Sequence, residues 1–237
     1  MNIAVIFAGG IGSRMKTKDG TPKQFLEIDG APILVHTLKN FQNNEEIDAI
    51  VVVMKDGYLD RTRELIERYG ISKVKVVVPG GETGQESIYH GLLAAEKIAD
   101  GNEAIVLIHD GVRPFVEEGL IERNIAAVKE FGSAISCAPS KETVVKLNGK
   151  QDLEEVIDRS TVWLARAPQS FYLKDILAVH NEALVHGKMD MIDSCTMMMK
   201  AGKKLHMVET CAENIKITTP EDFYVAQGLI LKQKNDE

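Results

Sequence analysis

"AVIFAGGIGSRMKTKDGTPKQF", residues 4–25, starts as an apolar strand, breaks at Gly9, Gly10 and Gly12, and places Arg14 and Lys23 beyond the break. An apolar run ending in glycines suits the first strand of an open α/β sheet. Glycines at its carboxyl end let the backbone approach a ligand and aim N–H groups at it. Two familiar phosphate loops fail on spacing. A P-loop carries Lys-Ser/Thr directly after its last glycine, whereas Gly12 is followed by Ser13-Arg14-Met15. A dinucleotide fingerprint needs a third glycine where Met15 stands. Two cations converging on a polyphosphate would suit a reaction that builds negative charge on phosphorus. Spacing alone fits a solvated basic turn equally well.

Outward from this stretch, short β-branched runs alternate with amphipathic patterns. Strands are expected at Ile3–Phe7, Ala49–Met54, Lys75–Val78, Ala104–His109 and Ser133–Ala138, and helices at Pro32–Phe41, Tyr58–Tyr69, Gln85–Ile98 and Glu118–Phe131. Pro32 is read as the first helical residue, where a missing N–H costs nothing. Continuous apolar strands separated by helices predict an α/β fold, Rossmann-like, with a mostly parallel sheet covered by helices on both faces. The alternation changes after Ala138. Residues 142–171 read as extended pieces around an Asn148–Gly149 turn, a β-arm projecting from the domain. Such an arm cannot bury its apolar residues alone, so a second subunit is expected to cover it. The expected organisation is one domain, 1–237, with a dimerisation arm at about 140–170. A strand at Lys204–Val208 and a last helix, started by "PEDF" at 220–223 and closing near Lys232, complete it.

Composition narrows the classes of function. The chain is 44% hydrophobic and 27% charged over 237 residues, ordinary for a globular protein, and its formal net charge is -7. That charge argues against nucleic acid or an anionic membrane as partner, so an anionic substrate would need a local cluster of Lys and Arg. Cys137, Cys195 and Cys211 lack C-x-x-C spacing and are read as reduced thiols of a cytoplasmic protein. No apolar run approaches the roughly 18 residues of a membrane span. The apolar start reads as strand rather than signal peptide.

The segments "AGGIGSRM", "PKQF", "PGGETGQES", "IHDGVRPF", "APQSF" and "ENIKITTPEDF", in this order along nearly the whole chain, resemble the cytidylyltransferases of isoprenoid and wall-polymer synthesis. Those enzymes join CTP to 2-C-methyl-D-erythritol 4-phosphate or D-ribitol 5-phosphate. The double glycine at 9–10 and the "DSC" segment at 193–195 look more like the ribitol branch. The resemblance implies a homodimer with exchanged β-arms and transfer of CMP with release of pyrophosphate. It also implies Mg²⁺ or another divalent cation, with Asp110 near it. Phe7, Ala8, Gly9, Gly10 and Gly111 would line the CTP site, and the segment Gly80–Ser87, with Gly81, Glu82 and Ser87 closest, would enclose cytosine and ribose. Arg14 and Lys23 would stabilise the α-phosphate. Asp110, Arg113, Thr143, Arg159 and Lys216 would serve the polyol phosphate, Thr143 and Arg159 from the partner's arm. Arg14, Lys23, Arg159 and Lys216 are thus the expected catalytic set. Gly84, Gly111 and Ala167 depart from the family pattern, which has arginine, alanine or serine, and threonine there. The alternative class is a catalytically silent nucleotide-binding or regulatory subunit on the same fold.

The chemistry needs no general base, since a phosphate oxygen already ionised near neutral pH is the nucleophile. His109 is read as a packed or capping residue, Trp163 as an interface anchor, and the methionines of 193–202 as core.

Overall fold

The computed structural model describes residues 1–10, 15, 20–187, 191 and 193–236. The strands are β1 (Asn2–Ala8), β2 (Glu27–Ile28), β3 (Ala31–Pro32), β4 (Ala49–Met54), β5 (Val74–Pro79) and β6 (Ile105–Asp110). After them come β7 (Ser133–Pro139), β8 (Val144–Leu147), β9 (Leu153–Ile157), β10 (Trp163–Tyr172) and β11 (Met207–Glu209). The helices are α1 (Ile33–Gln42), α2 (Leu59–Arg68), α3 (Gly84–Ala99), α4 (Leu120–Phe131), α5 (Leu173–Val185), α6 (Ser194–Lys200) and α7 (Pro220–Asp236).

The run Ala4–Phe7 becomes the middle of a seven-stranded sheet ordered β11-β7-β10-β6-β1-β4-β5. Val5 pairs in parallel with Val51 of β4 on one side and Ile108 of β6 on the other. Burial on both faces explains why every residue of β4 and β6 is buried and why neither alternates. The chain lays down β1, β4 and β5 in one direction and then returns to place β6 on the other side of β1. Such a reversal opens a crevice beyond the carboxyl ends of the strands, at Ala8, Met54 and Asp110. One face of the sheet is closed by α3. A Cβ on its Gly91 would lie 2.5 Å from Val5 Cγ1 and 2.8 Å from Val53 Cγ2, so glycine sets how closely helix and sheet approach.

Two expectations are corrected in detail. Pro32 precedes α1 as its N-cap in extended conformation, with ψ 144°, because it still pairs across the β2–β3 ribbon. The arm does not turn at Asn148–Gly149 as a two-residue hairpin. Leu147 pairs with Leu153, and the intervening loop takes its left-handed residue at Gln151, φ 69°. Asn148 Oδ1 holds that loop by accepting the N–H groups of Lys150 and Asp152 at 2.8 and 3.1 Å.

The strands β8 and β9 form their own ribbon, off the main sheet. Leu147, Leu153 and Val156 are 53%, 68% and 65% exposed along it. Strand β10 starts on the arm beside Pro139 and enters the sheet by Gln169, which pairs with Ile108. The helix start at 220–223 has the expected form, with the Thr218 and Thr219 N–H groups both donating to Asp222 Oδ2 at 2.8 Å. No described helix is long and apolar enough to cross a membrane.

His180 of α5 is 1% exposed and stacks on Tyr89 at 5.6 Å, with no hydrogen-bond partner at either ring nitrogen. Burial lowers its pKa from 6.5 to about 4. Between those values the unfolded chain binds a proton that the folded one refuses. This contribution to stability is therefore full above pH 6.5 and is lost as pH falls towards 4. His180→Phe is expected to flatten part of the acid limb of the urea midpoint against pH. An unchanged slope would show that His180 does not contribute to it.

Candidate active site

The crevice at the strand ends is a cavity of about 350 Å³. Phe7, Ala8, Gly9 and Gly10 line it from the end of β1, Asp110 and Val112 from the end of β6, and Lys23 and Gln24 from a 3₁₀ turn at Lys23–Phe25. Gly81, Glu82, Thr83, Gly84 and Ser87 come from the start of α3, and Lys216 and Thr218 from the segment before α7.

The α3 wall is held by a capping box. Thr83 Oγ1 accepts the Glu86 N–H at 3.1 Å, and the Glu86 carboxylate accepts the Glu82 N–H at 2.7 Å. A Cβ on Gly81 would run into the Glu86 side chain, and one on Gly80 would lie 2.9 Å from Ser87 Oγ. Both glycines therefore let the loop fold back on the helix start, where the Gly81 N–H donates to Ser87 Oγ at 3.1 Å. Gly111 has a similar cause, since a Cβ there would sit 2.7 Å from Ala8 Cβ, between two converging strand ends. Gly84 meets nothing within 4 Å, so the open rim leaves room for a larger side chain.

Charge is concentrated on Asp110, 6% exposed. Its Oδ1 lies 2.5 Å from Lys216 Nζ, and its Oδ2 accepts from Arg113 Nη2 and Nε at 3.2 and 3.3 Å. Burial alone would raise its pKa, but Lys216 and then Arg113 hold the carboxyl below its ordinary value. Arg113 is itself buried, and its Nη1 donates to the Asn214 carbonyl at 2.5 Å. It sits behind the cavity wall, joining the end of β6 to residue 214, rather than among the lining residues. His109 is fully buried with its pKa lowered to about 4, chiefly by burial. The neutral ring donates from Nε2 to the Arg113 carbonyl at 2.9 Å, so it braces the 110–113 turn.

Lys23 is 8% exposed and its Nζ donates to the Ile217 carbonyl at 2.9 Å. The Ile217 N–H donates to the Val112 carbonyl at 2.9 Å. The segment 216–217 is thus gripped by the glycine-loop side through Lys23 and by the β6 side through Asp110 and Val112. The cavity can hold an anionic ligand between two ammonium groups, with glycine backbone beside it.

Most of the expected residues meet here, and some do not. Arg14 lies outside the described residues. Thr143 and Arg159 stay on the arm, where Arg159 Nη1 donates to the Lys141 carbonyl at 3.5 Å. In the 193–195 segment that resembles the ribitol branch, Asp193 caps α6 by accepting the Thr196 N–H at 2.8 Å and also accepts from Gln169 at 3.1 Å. Gln24, Val112 and Thr218 line the cavity without having been anticipated. The T-x-x-E spacing at 83–86 was the available sign of a helix start. No cluster of three or more His, Cys, Asp or Glu able to hold a metal occurs among the described residues. The cavity wall offers the carboxylates Asp110 and Glu82. Such a donor set fits a cation that takes its other ligands from phosphates and water, as Mg²⁺ commonly does.

Removing the Arg113 fork would leave the Asn214 carbonyl and one side of the Asp110 carboxylate buried without a partner. Arg113→Met is expected to lower unfolding free energy by about 3 kcal/mol, read from urea denaturation. A loss below about 1 kcal/mol, the scale of an exposed ion pair, would show this fork to be dispensable.

Comparison with known proteins places the site in context. The family model for 2-C-methyl-D-erythritol 4-phosphate cytidylyltransferase matches residues 2–233. A ribitol-5-phosphate cytidylyltransferase from Streptococcus agalactiae serotype III (strain NEM316) is 54% identical over 237 residues, covering 100% of this chain and 98% of its own. A 2-C-methyl-D-erythritol 4-phosphate cytidylyltransferase from Geobacillus kaustophilus (strain HTA426) is 37% identical over 227 residues, 96% of each chain. Among solved structures, 4-diphosphocytidyl-2C-methyl-D-erythritol synthase from Anaerococcus prevotii DSM 20548 superposes with a TM-score of 0.84 at 29% identity. The superposition covers 97% of this chain and 96% of that one.

Proposed function

The chain belongs to the 2-C-methyl-D-erythritol 4-phosphate cytidylyltransferase family, and on that premise we propose that it transfers CMP from CTP to D-ribitol 5-phosphate, releasing pyrophosphate. The observation that carries the chemistry is that Lys23 and Lys216, far apart in the chain, line one cavity, Lys23 bound to the carbonyl of Ile217 and Lys216 paired with Asp110. Support for ribitol is the 54% identity to a full-length ribitol-5-phosphate enzyme, against 37% to a methylerythritol one. A silent nucleotide-binding subunit would have no need of both lysines and Asp110 in one cavity.

In this reading an oxygen of the polyol phosphate attacks the α-phosphorus of CTP. The new P–O bond forms as the bond to the β-phosphate oxygen breaks, and pyrophosphate leaves with those electrons. The attacking phosphate is largely ionised at pH 7, its second pKa lying near 6, so no side chain has to remove a proton. Catalysis is then positioning plus charge stabilisation. Lys23 offsets charge growing at the α-phosphate, and Lys216 holds the attacking phosphate against repulsion between the two anions. Arg14 is proposed to join Lys23 at the triphosphate. The backbone of Ala8–Gly10 and the Gly80–Ser87 loop take the nucleotide. Mg²⁺ or another divalent cation, with Asp110 as its protein ligand, would neutralise charge on the triphosphate. Thr143 and Arg159 would complete the polyol-phosphate site of the other subunit in a homodimer.

With CTP and Mg²⁺, purified protein is expected to release pyrophosphate at least about tenfold faster with D-ribitol 5-phosphate than with 2-C-methyl-D-erythritol 4-phosphate, measured as kcat/KM. The reverse preference would move the substrate assignment to the other branch, and no turnover with either would end the proposal. Lys23→Ala and Lys216→Ala should each lower kcat/KM by about 10² or more with an unchanged circular dichroism spectrum. Sedimentation at micromolar concentration should show a dimer, and Leu153→Asp with Val156→Asp should shift it to monomer. A wild-type protein that sediments as monomer would remove the shared-arm part of the reading.

A further inference from the structure

Gln24 is 1% exposed, on the 3₁₀ turn that also carries Lys23. Its Nε2 donates to the Ala8 carbonyl at 2.8 Å and reaches Met54 Sδ at 3.6 Å. That placement has a consequence for the glycine loop. The Phe7 carbonyl points towards β6, where it accepts the Gly111 N–H at 2.9 Å. Carbonyls alternate along a strand, so the Ala8 carbonyl points the other way, towards β4 and Met54. There β4 has ended, and the Gln24 amide takes the place of a further strand partner.

A trans peptide is planar, with the C=O of one residue opposed to the N–H of the next. Holding the Ala8 carbonyl towards β4 therefore fixes the Gly9 N–H towards β6, over the part of the cavity walled by Asp110 and Val112. Gly9 lies past the end of β1, and its N–H has no backbone acceptor among the described residues. A glycine gives an adjoining peptide more freedom to rotate, and Gly9 follows Ala8 directly. Without an anchor the Ala8–Gly9 peptide can flip, presenting a carbonyl where a donor is wanted.

We propose that Gln24 is a positioning residue that locks the Ala8–Gly9 peptide with its N–H facing the nucleotide. The same turn places the Lys23 ammonium on Ile217, so one buried turn sets both a backbone donor and a cation at the triphosphate. This rests on the reading that residues 8–10 face the nucleotide.

Gln24→Met keeps length and loses the donor. Calorimetry should show the Kd for CTP raised about tenfold or more, the worth of one hydrogen bond to a site-forming group. The KM for polyol phosphate at saturating CTP should stay within about twofold, and the melting temperature within a few degrees. Gln24→His, which returns a ring N–H, should recover part of the CTP affinity. An unchanged Kd for CTP in Gln24→Met, or a parallel rise in both substrates' constants with a fall in melting temperature, would overturn the proposal. A measurement on the wild type stands apart from any folding defect: the Gly9 amide resonance should move on CTP addition, and one that stays fixed would also overturn it. If wild type prefers another nucleotide to CTP, the functional reading fails. The loss in Gln24→Met, measured with that nucleotide, then still decides the role of Gln24.

Discussion

A carboxylate almost sealed from water at a strand end has to be compensated or neutralised, and the arrangement around Asp110 follows from that requirement. Arg113 supplies one partner from three residues further along the same turn, and Lys216 supplies the other from more than 100 residues away in the chain. Arg113 spends its remaining donor on the Asn214 carbonyl, so the turn after β6 and the segment before α7 are one unit. His109 adds a neutral donor beneath the same turn. One wall of the cavity is thus built from the needs of a single buried charge.

Much of the fold was legible because each signal was local and redundant. Apolar runs at 49–54 and 105–108 suit strands buried on both faces of a parallel sheet, and helices separate them. The details that differed were settled by neighbours distant in sequence. Pro32 stays extended because Glu27 pairs with it, which the Pro-then-apolar pattern around α1 does not reveal. Asn-Gly suits a tight hairpin, but Leu147 and Leu153 pair instead, and the left-handed residue falls at Gln151.

The site was legible in its charged residues and glycines and opaque in its direction. Lys23, Asp110 and Lys216 stand in the cavity as the motifs suggested. Arg113 is a cation in the same motif as Asp110, yet it is buried behind the cavity wall, held by Asp110 and by the Asn214 carbonyl, a partner 101 residues away that the motif does not reveal. Gln24 was hidden for another reason. A neutral side chain in a short turn gives no sign from charge or periodicity, and its importance comes from a carbonyl that lost its strand partner. Gly111 shows how a departure from a family pattern can have a local cause, the approach of Ala8.

The order of the sheet also has a consequence for how the molecule is made. Strand β10 lies between β6 and β7 and pairs antiparallel with both, though it is synthesised after each of them. Until residue 172 has left the ribosome, β6 and β7 each present an open edge of unpaired backbone groups, a template for another chain. The segment delayed between them is the exposed β8–β9 ribbon, so folding of the domain waits on a hairpin that contributes nothing to its core. Pairings of such long sequence separation close slowly. The part of this chain most exposed to misassembly is therefore the middle of its sheet rather than its outer strands.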